Sequence, residues 1–196
     1  MIVVDVESSG LTSDKHSLLS VGALDFENPE NIFYGECRIF EGAHVDKEAL
    51  KVNGFSEEEI RDRSKISEGE LANLFLKWAE SIKEKTIAGH NPSFDRDFLQ
   101  AAARRARINW PFAQRTVDLH SICFFHMRSR GVEIPLRKGH SALNLDTILV
   151  YAGLEERDGR HNAKNDTLLE AECFSRLMDN KWLIKEYEKR PISWKN

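Results

Sequence analysis

Five residues scattered through this chain could act together: Asp5, Glu7, Asp95, His161 and Asp166. Asp5 and Glu7 stand in "VVDVESSG", residues 3–10, where apolar residues lead straight into one carboxylate and Val6 precedes a second. Residues two apart in a strand share a face, so both acids point one way while Ile2, Val4 and Val6 point the other. Burying an unpaired carboxylate costs several kcal/mol or forces it to stay protonated, and two side by side repel. A multivalent cation removes both penalties, and hard oxygen ligands suit Mg2+ or Mn2+. Taken alone, Asp-x-Glu reads better as the solvated end of a strand.

Two later segments change that balance. In "AGHNPSFDRDFL", residues 88–99, Asn91 is expected to be the N-cap of a helix and Pro92 its first residue. Asp95 then falls in the first turn, where by itself it would merely complement the helix dipole. Asp97 lies about 200° further round the helix, so it cannot share a site with Asp95 and is expected to face water. In "GRHNAKNDTLLEAECF", residues 159–174, Asp166 again opens a helix and His161 precedes it by five residues. A lone loop histidine is usually a surface residue. At the mouth of a helix that carries an acid, an imidazole with an ordinary pKa near 6.5 can accept a proton at neutral pH.

The elements needed to position these residues can be read from periodicity and turn signals. Strands are expected over 2–7, 18–26 and 32–40, with Glu27-Asn28-Pro29 as a turn, then over 86–89 and 116–119. Helical patterns cover 45–53, 56–61, 67–83, 91–107, 119–130, 143–152 and 162–179, with a last short helix near 181–189 and a loop over 131–139. Three strands followed by alternating helices and single strands predict an α/β domain with a mixed sheet. One domain over 1–196 is expected, because no linker divides the apolar residues. The three cysteines are scattered and lack CxxC spacing, which favours a reducing, cytoplasmic setting over disulfides or a zinc site. No membrane span or secretory signal is expected. The formal charge of −4 argues by itself against simple polyanion binding. Arg104, Arg105 and Arg107, or Arg128, Arg130, Arg137 and Lys138, could guide a phosphate backbone. Trp78 reads as core, and Trp110 as a packing or base-stacking residue.

"DVESSGL", "HNPSFD" and "HNAKND" occur in that order, and through them the chain resembles the DEDDh exonucleases of the DnaQ-like superfamily. That family carries Asp-x-Glu on its first strand, an "HNxxFD" segment and a closing "HxAxxD". The resemblance covers residues 2 to about 177. The sister DEDDy group has a tyrosine four residues before its last aspartate; here that position is Asn162, so the histidine type matches better. The resemblance implies a ribonuclease H-like fold, a five-stranded mixed sheet with the second strand antiparallel, flanked by helices. It implies that Asp5, Glu7, Asp95 and Asp166 hold two divalent cations, Mg2+ or Mn2+, and that His161 is the general base. Ser8 and Ser9, where many relatives have threonines, with Gly10, Leu11 and Asn91, would touch the terminal nucleotide. The implied reaction is hydrolysis that releases nucleoside 5′-monophosphates from a nucleic acid with a free 3′ end, single-stranded in preference.

Two rivals remain open at this stage. One is a catalytically silent relative that binds nucleic acid or a polymerase, though no long polymerase-binding tail follows residue 177. The other is an endonuclease of the ribonuclease H type, which would cut internally. Asp95→Ala is expected to abolish turnover and to leave the fold intact or firmer, since it relieves repulsion.

Overall fold

The computed structural model describes residues 1–157 and 159–195. A hairpin-rich start builds the sheet: β1 (Ile2–Ser8), β2 (Leu18–Asp25) and β3 (Asn28–Glu36) pair antiparallel in sequence. Helix α1 (Lys47–Asn53) and helix α2 (Glu68–Glu80) follow. Then come β4 (Ile87–Gly89), α3 (Pro92–Arg105), β5 (Thr116–Asp118) and α4 (Leu119–Ser129). β4 and β5 run parallel to β1, so the sheet order is β3-β2-β1-β4-β5 and β2 alone runs against the rest. This is the five-stranded mixed sheet expected. A small hairpin of β6 (Leu136–Arg137) and β7 (His140–Ser141) precedes α5 (Leu145–Ala152) and α6 (Ala163–Asp179).

Each face of β1 has its own core. Ile2, Val4 and Val6 pack with Phe75 of α2 and Phe98 of α3. Val3 packs with Leu149 of α5 and Phe174 of α6 on the other side. Asp5 and Glu7 continue the Val3 face, toward α6. Glycine lets α6 come that close: a Cβ on Gly22, opposite Asp5 in the β1–β2 register, would lie 2.1 Å from the Ala163 carbonyl oxygen. That contact seats the start of α6 directly over the acids of β1.

Several expectations shift. The turn falls at residues 26–27 rather than 27–29, and β3 already begins at Asn28. β3 is an edge strand, where the missing N–H of Pro29 costs nothing. The 131–139 loop contains β6, and its turn into β7 uses Lys138 (φ 53°) and Gly139 (φ 80°), the left-handed pair that a two-residue hairpin favours. The helix expected near 181–189 is only a three-residue 3-10 turn, Lys185–Tyr187. Its surroundings explain this. The N–H groups of Leu183 and Ile184 donate to Glu172 Oε2, and buried Arg176 donates to the carbonyls of Tyr187 and Pro191. The segment therefore satisfies a buried ion pair instead of its own helix ladder. The cysteines are free and buried, and among the described residues no helix is long and apolar enough to cross a membrane.

Candidate active site

The C-terminal half of β1 forms the floor of a cavity of about 530 Å3, lined among others by Asp5, Glu7, Asp95, Arg157, His161 and Glu170. Asp95 reaches the floor from α3. β4 ends at Gly89, too short to pair with the far end of β1, and Asp95 Oδ1 takes the place of a strand by accepting the N–H of Val6 at 2.9 Å. Asp166 stands buried beside Glu7 and His161, in the first turn of α6, whose N-cap Asn162 accepts the N–H of Asn165. Glu7, His161 and Asp166 each offer a ligand atom, and these atoms all lie within 4.8 Å of one another. The acids and the imidazole proposed from separate segments therefore converge.

The electrostatics record the crowding. Asp5 keeps part of its surface open to the cavity, yet desolvation first, and then the neighbouring carboxylates led by Glu170, hold its proton well above the usual carboxylate range. Burial, with Asp166 and Asp95 nearby, pushes Glu7 up to about 8. Burial pushes Asp95 up to about 7 against the pull of the Val6 N–H. Asp166 is raised by burial and held back by the Arg157 guanidinium. His161 moves the other way: burial and then Arg157 lower it below the ordinary imidazole value, which favours the neutral ring.

Divalent cations fit this donor set. Glu7 Oε1 is sealed from solvent without a hydrogen-bond partner, and so is Glu170 Oε2. Several carboxylates brought together are ligands of the kind that Mg2+ or Mn2+ takes. The positive charge that the protein itself supplies is Arg157, whose Nη1 lies 2.8 Å from Asp166 Oδ2 while its other nitrogens grip Asp146.

The remaining expected residues divide. Ser8, Gly10, Leu11 and Asn91 line the cavity, and Leu11 is 73% exposed there. Ser9 does not: it is fully buried, its hydroxyl donating to the His44 carbonyl and accepting from the Ser17 N–H. The space beside the Gly10 Cα is filled by the His16 ring, 2.1 Å from where a Cβ would stand, so this glycine serves internal packing. Asn91 precedes α3 in a left-handed conformation (φ 60°) without a side-chain cap; its backbone N–H donates to Asp118. Asp97 is partly exposed and pairs with Arg96. Arg105 leaves the basic cluster, because it pairs with buried Glu68, donates to the Ser13 carbonyl and stacks over Phe40. Arg130 donates to the Trp194 carbonyl. Trp78 packs on Phe33 and Phe75, and Trp110 on Phe112, which favours the packing role for both.

Glu170, Arg157 and Asn144 were not singled out from the sequence as parts of the site. Glu170 carries a signal, since it follows Asp166 by four residues and so shares its helix face. Arg157 lies in an aperiodic loop with no local pattern to mark it. Asn144 lines the cavity while capping α5 through the Thr147 N–H.

Known proteins resemble this chain in sequence and in fold. The Ribonuclease T of Vibrio parahaemolyticus is 28% identical over 166 residues, covering 72% of this chain and 78% of that protein. The Ribonuclease T of Yersinia pseudotuberculosis is 29% identical over 204 residues, covering 92% and 85%. Among solved structures, E. coli Exonuclease I in complex with a 5cy-dT13 oligonucleotide superposes with a TM-score of 0.70 at 18% identity, over 91% of this chain; this chain spans only 42% of that one. The family model described as "Exonuclease" matches residues 2–174, nearly the whole chain. This protein belongs to that exonuclease family.

Proposed function

We propose that this protein removes nucleoside 5′-monophosphates, one at a time, from the 3′ end of single-stranded nucleic acid, with divalent cations as cofactors. The observation that carries this reading is the convergence of Asp5, Glu7, Asp95 and His161 around one cavity, with a ligand atom of Asp166 within 4.8 Å of those of Glu7 and His161. Asp5, Glu7, Asp95 and Asp166 would hold Mg2+ or Mn2+. Bound there, such cations supply the positive charge that acidifies an attacking water and offsets the charge on the departing 3′ oxygen. A ring nitrogen of His161 accepts the proton of that water, a role that its lowered pKa suits. Asp95 keeps one oxygen on the Val6 N–H, so the other is held in a fixed direction.

The cavity opens to solvent, and its volume of about 530 Å3 accommodates a terminal nucleotide. Leu11, Val52 and Phe94 give it an apolar side on which a base can rest. The E. coli Exonuclease I structures with dT13 and dA16 oligonucleotides are consistent with a strand of this kind. A 5′-labelled single strand tests the proposal. A ladder that shortens from the 3′ end and liberates 5′-monophosphates supports it. Brisk cleavage of a strand blocked at its 3′ end would instead indicate an endonuclease.

A further inference from the structure

We infer that Glu170 is a fifth metal-holding carboxylate of this site, added to the Asp5, Glu7, Asp95 and Asp166 set. The inference deepens the proposed function and rests on it. Glu170 lies one helical turn beyond Asp166 on α6 and lines the same cavity as Asp5 and Asp95. Its side chain comes down over the end of β4, where Gly89 has no side chain; a Cβ there would stand 3.2 Å from Glu170 Oε2. Glu170 is 1% exposed, and its Oε2 has no hydrogen-bond partner.

Other buried carboxylates show what this protein does with a structural acid. Glu172 is paired with Arg176 and accepts the N–H groups of Leu183 and Ile184. Glu68 is paired with Arg105 and accepts the Ser17 hydroxyl. Glu170 takes a backbone hydrogen bond from His90 but forms no ion pair among the described residues, and it is the carboxylate that presses hardest on Asp5. A buried carboxylate with no cation beside it and one oxygen unbonded is costly unless a charge arrives to meet it. The charge that meets it is the cation shared with Asp5. The additional anion tightens divalent binding, whether it ligates the ion or holds one of the ion's waters.

Calorimetric titration of Mn2+ into the chelator-stripped full chain tests this, comparing wild type with Glu170→Gln and Glu170→Ala. Outer partners of metal ligands are worth roughly ten- to a hundredfold in affinity, and a loss of at least tenfold is expected in both variants. The metal-free melting temperature of Glu170→Gln should equal or exceed that of wild type, whereas Glu170→Ala also leaves a buried cavity. Unchanged Mn2+ affinity in a folded variant overturns the inference while leaving the four-acid reading intact; failure of wild type to bind Mn2+ at all overturns the four-acid reading itself. Should neither variant fold, anomalous scattering from wild-type crystals soaked in Mn2+ decides. An oxygen of Glu170 bonded to the ion or to one of its waters supports the assignment, and a carboxylate remote from the ion removes it.

Discussion

Arg157 Nη1 lies 2.8 Å from Asp166 Oδ2, so the acid cluster holds a guanidinium of the chain's own. Its other nitrogens bind Asp146, and the side chain is mostly buried. Removing one partner of a buried pair leaves the other charge uncompensated, at a cost of about 3 kcal/mol. Arg157→Ala should therefore lower the metal-free melting temperature. Mn2+ should raise the variant's melting temperature more than it raises that of wild type, because the ion then supplies the missing charge. Scanning calorimetry with and without Mn2+ reads both. Equal Mn2+ shifts in the two proteins would mean that the guanidinium and the ion do not share Asp166.

Asp95 separates chemistry from folding. Because its Oδ1 accepts the Val6 N–H, Asp95→Ala leaves a buried donor unpaired. That costs about 1–3 kcal/mol and opposes the gain from relieved repulsion, so the firmer fold expected from sequence is not expected from the structure. Asp95→Asn keeps the acceptor. It should melt near wild type while turnover drops by at least about a hundredfold, the scale on which removing one fixed electrostatic group acts. Wild-type turnover in Asp95→Asn would remove that residue from the site.

Glu7 should give the metal-free protein a pH signature of unusual sign. Its folded pKa of about 8 lies above the usual glutamate value, so its stabilising contribution is full below the unfolded pKa near 4.5 and is lost as pH rises toward 8. Histidines with lowered pKa, His161 among them, act in the opposite sense over part of this window. The comparison must therefore be between wild type and Glu7→Gln. In EDTA, the melting temperature of Glu7→Gln relative to wild type should climb from pH 5 to pH 8, and saturating Mn2+ should flatten or reverse that trend. A difference independent of pH would show that Glu7 is already ionised without metal.

His161 should set the acidic limb of the pH–rate profile. A base must be unprotonated to act, and desolvation together with Arg157 holds this imidazole below its ordinary value, so the limb should fall below the usual histidine midpoint. His161→Ala should lose roughly 10²–10⁴ in rate, lose that limb, and still take up Mn2+ through the carboxylates. A variant retaining both the rate and the limb would assign the base elsewhere.

How much of this was legible in the chain itself follows the reach of local rules. Alternation on β1 put Asp5 and Glu7 on one face because strand geometry is local, and helix-start signals placed Asp95 and Asp166 for the same reason. The burial of Ser9 was not legible, since its hydroxyl is spent on His44, thirty-five residues away. Nor was the loss of the last helix, which depends on the buried Glu172–Arg176 pair capturing backbone groups of the segment that follows α6, eleven residues on. Arg157 could not be found because nothing in its own loop encodes the approach to Asp166. Glu170 could have been found: the four-residue spacing from Asp166 was visible, but its burial depends on the absent side chain of Gly89.

The most direct test is to strip the protein with EDTA and follow single-strand degradation as Mg2+ or Mn2+ is returned. Turnover should vanish in the chelator and recover with either ion, saturating as the carboxylate cluster fills. Undiminished degradation by rigorously metal-free protein would contradict the idea that Asp5, Glu7, Asp95 and Asp166 are gathered to hold divalent cations.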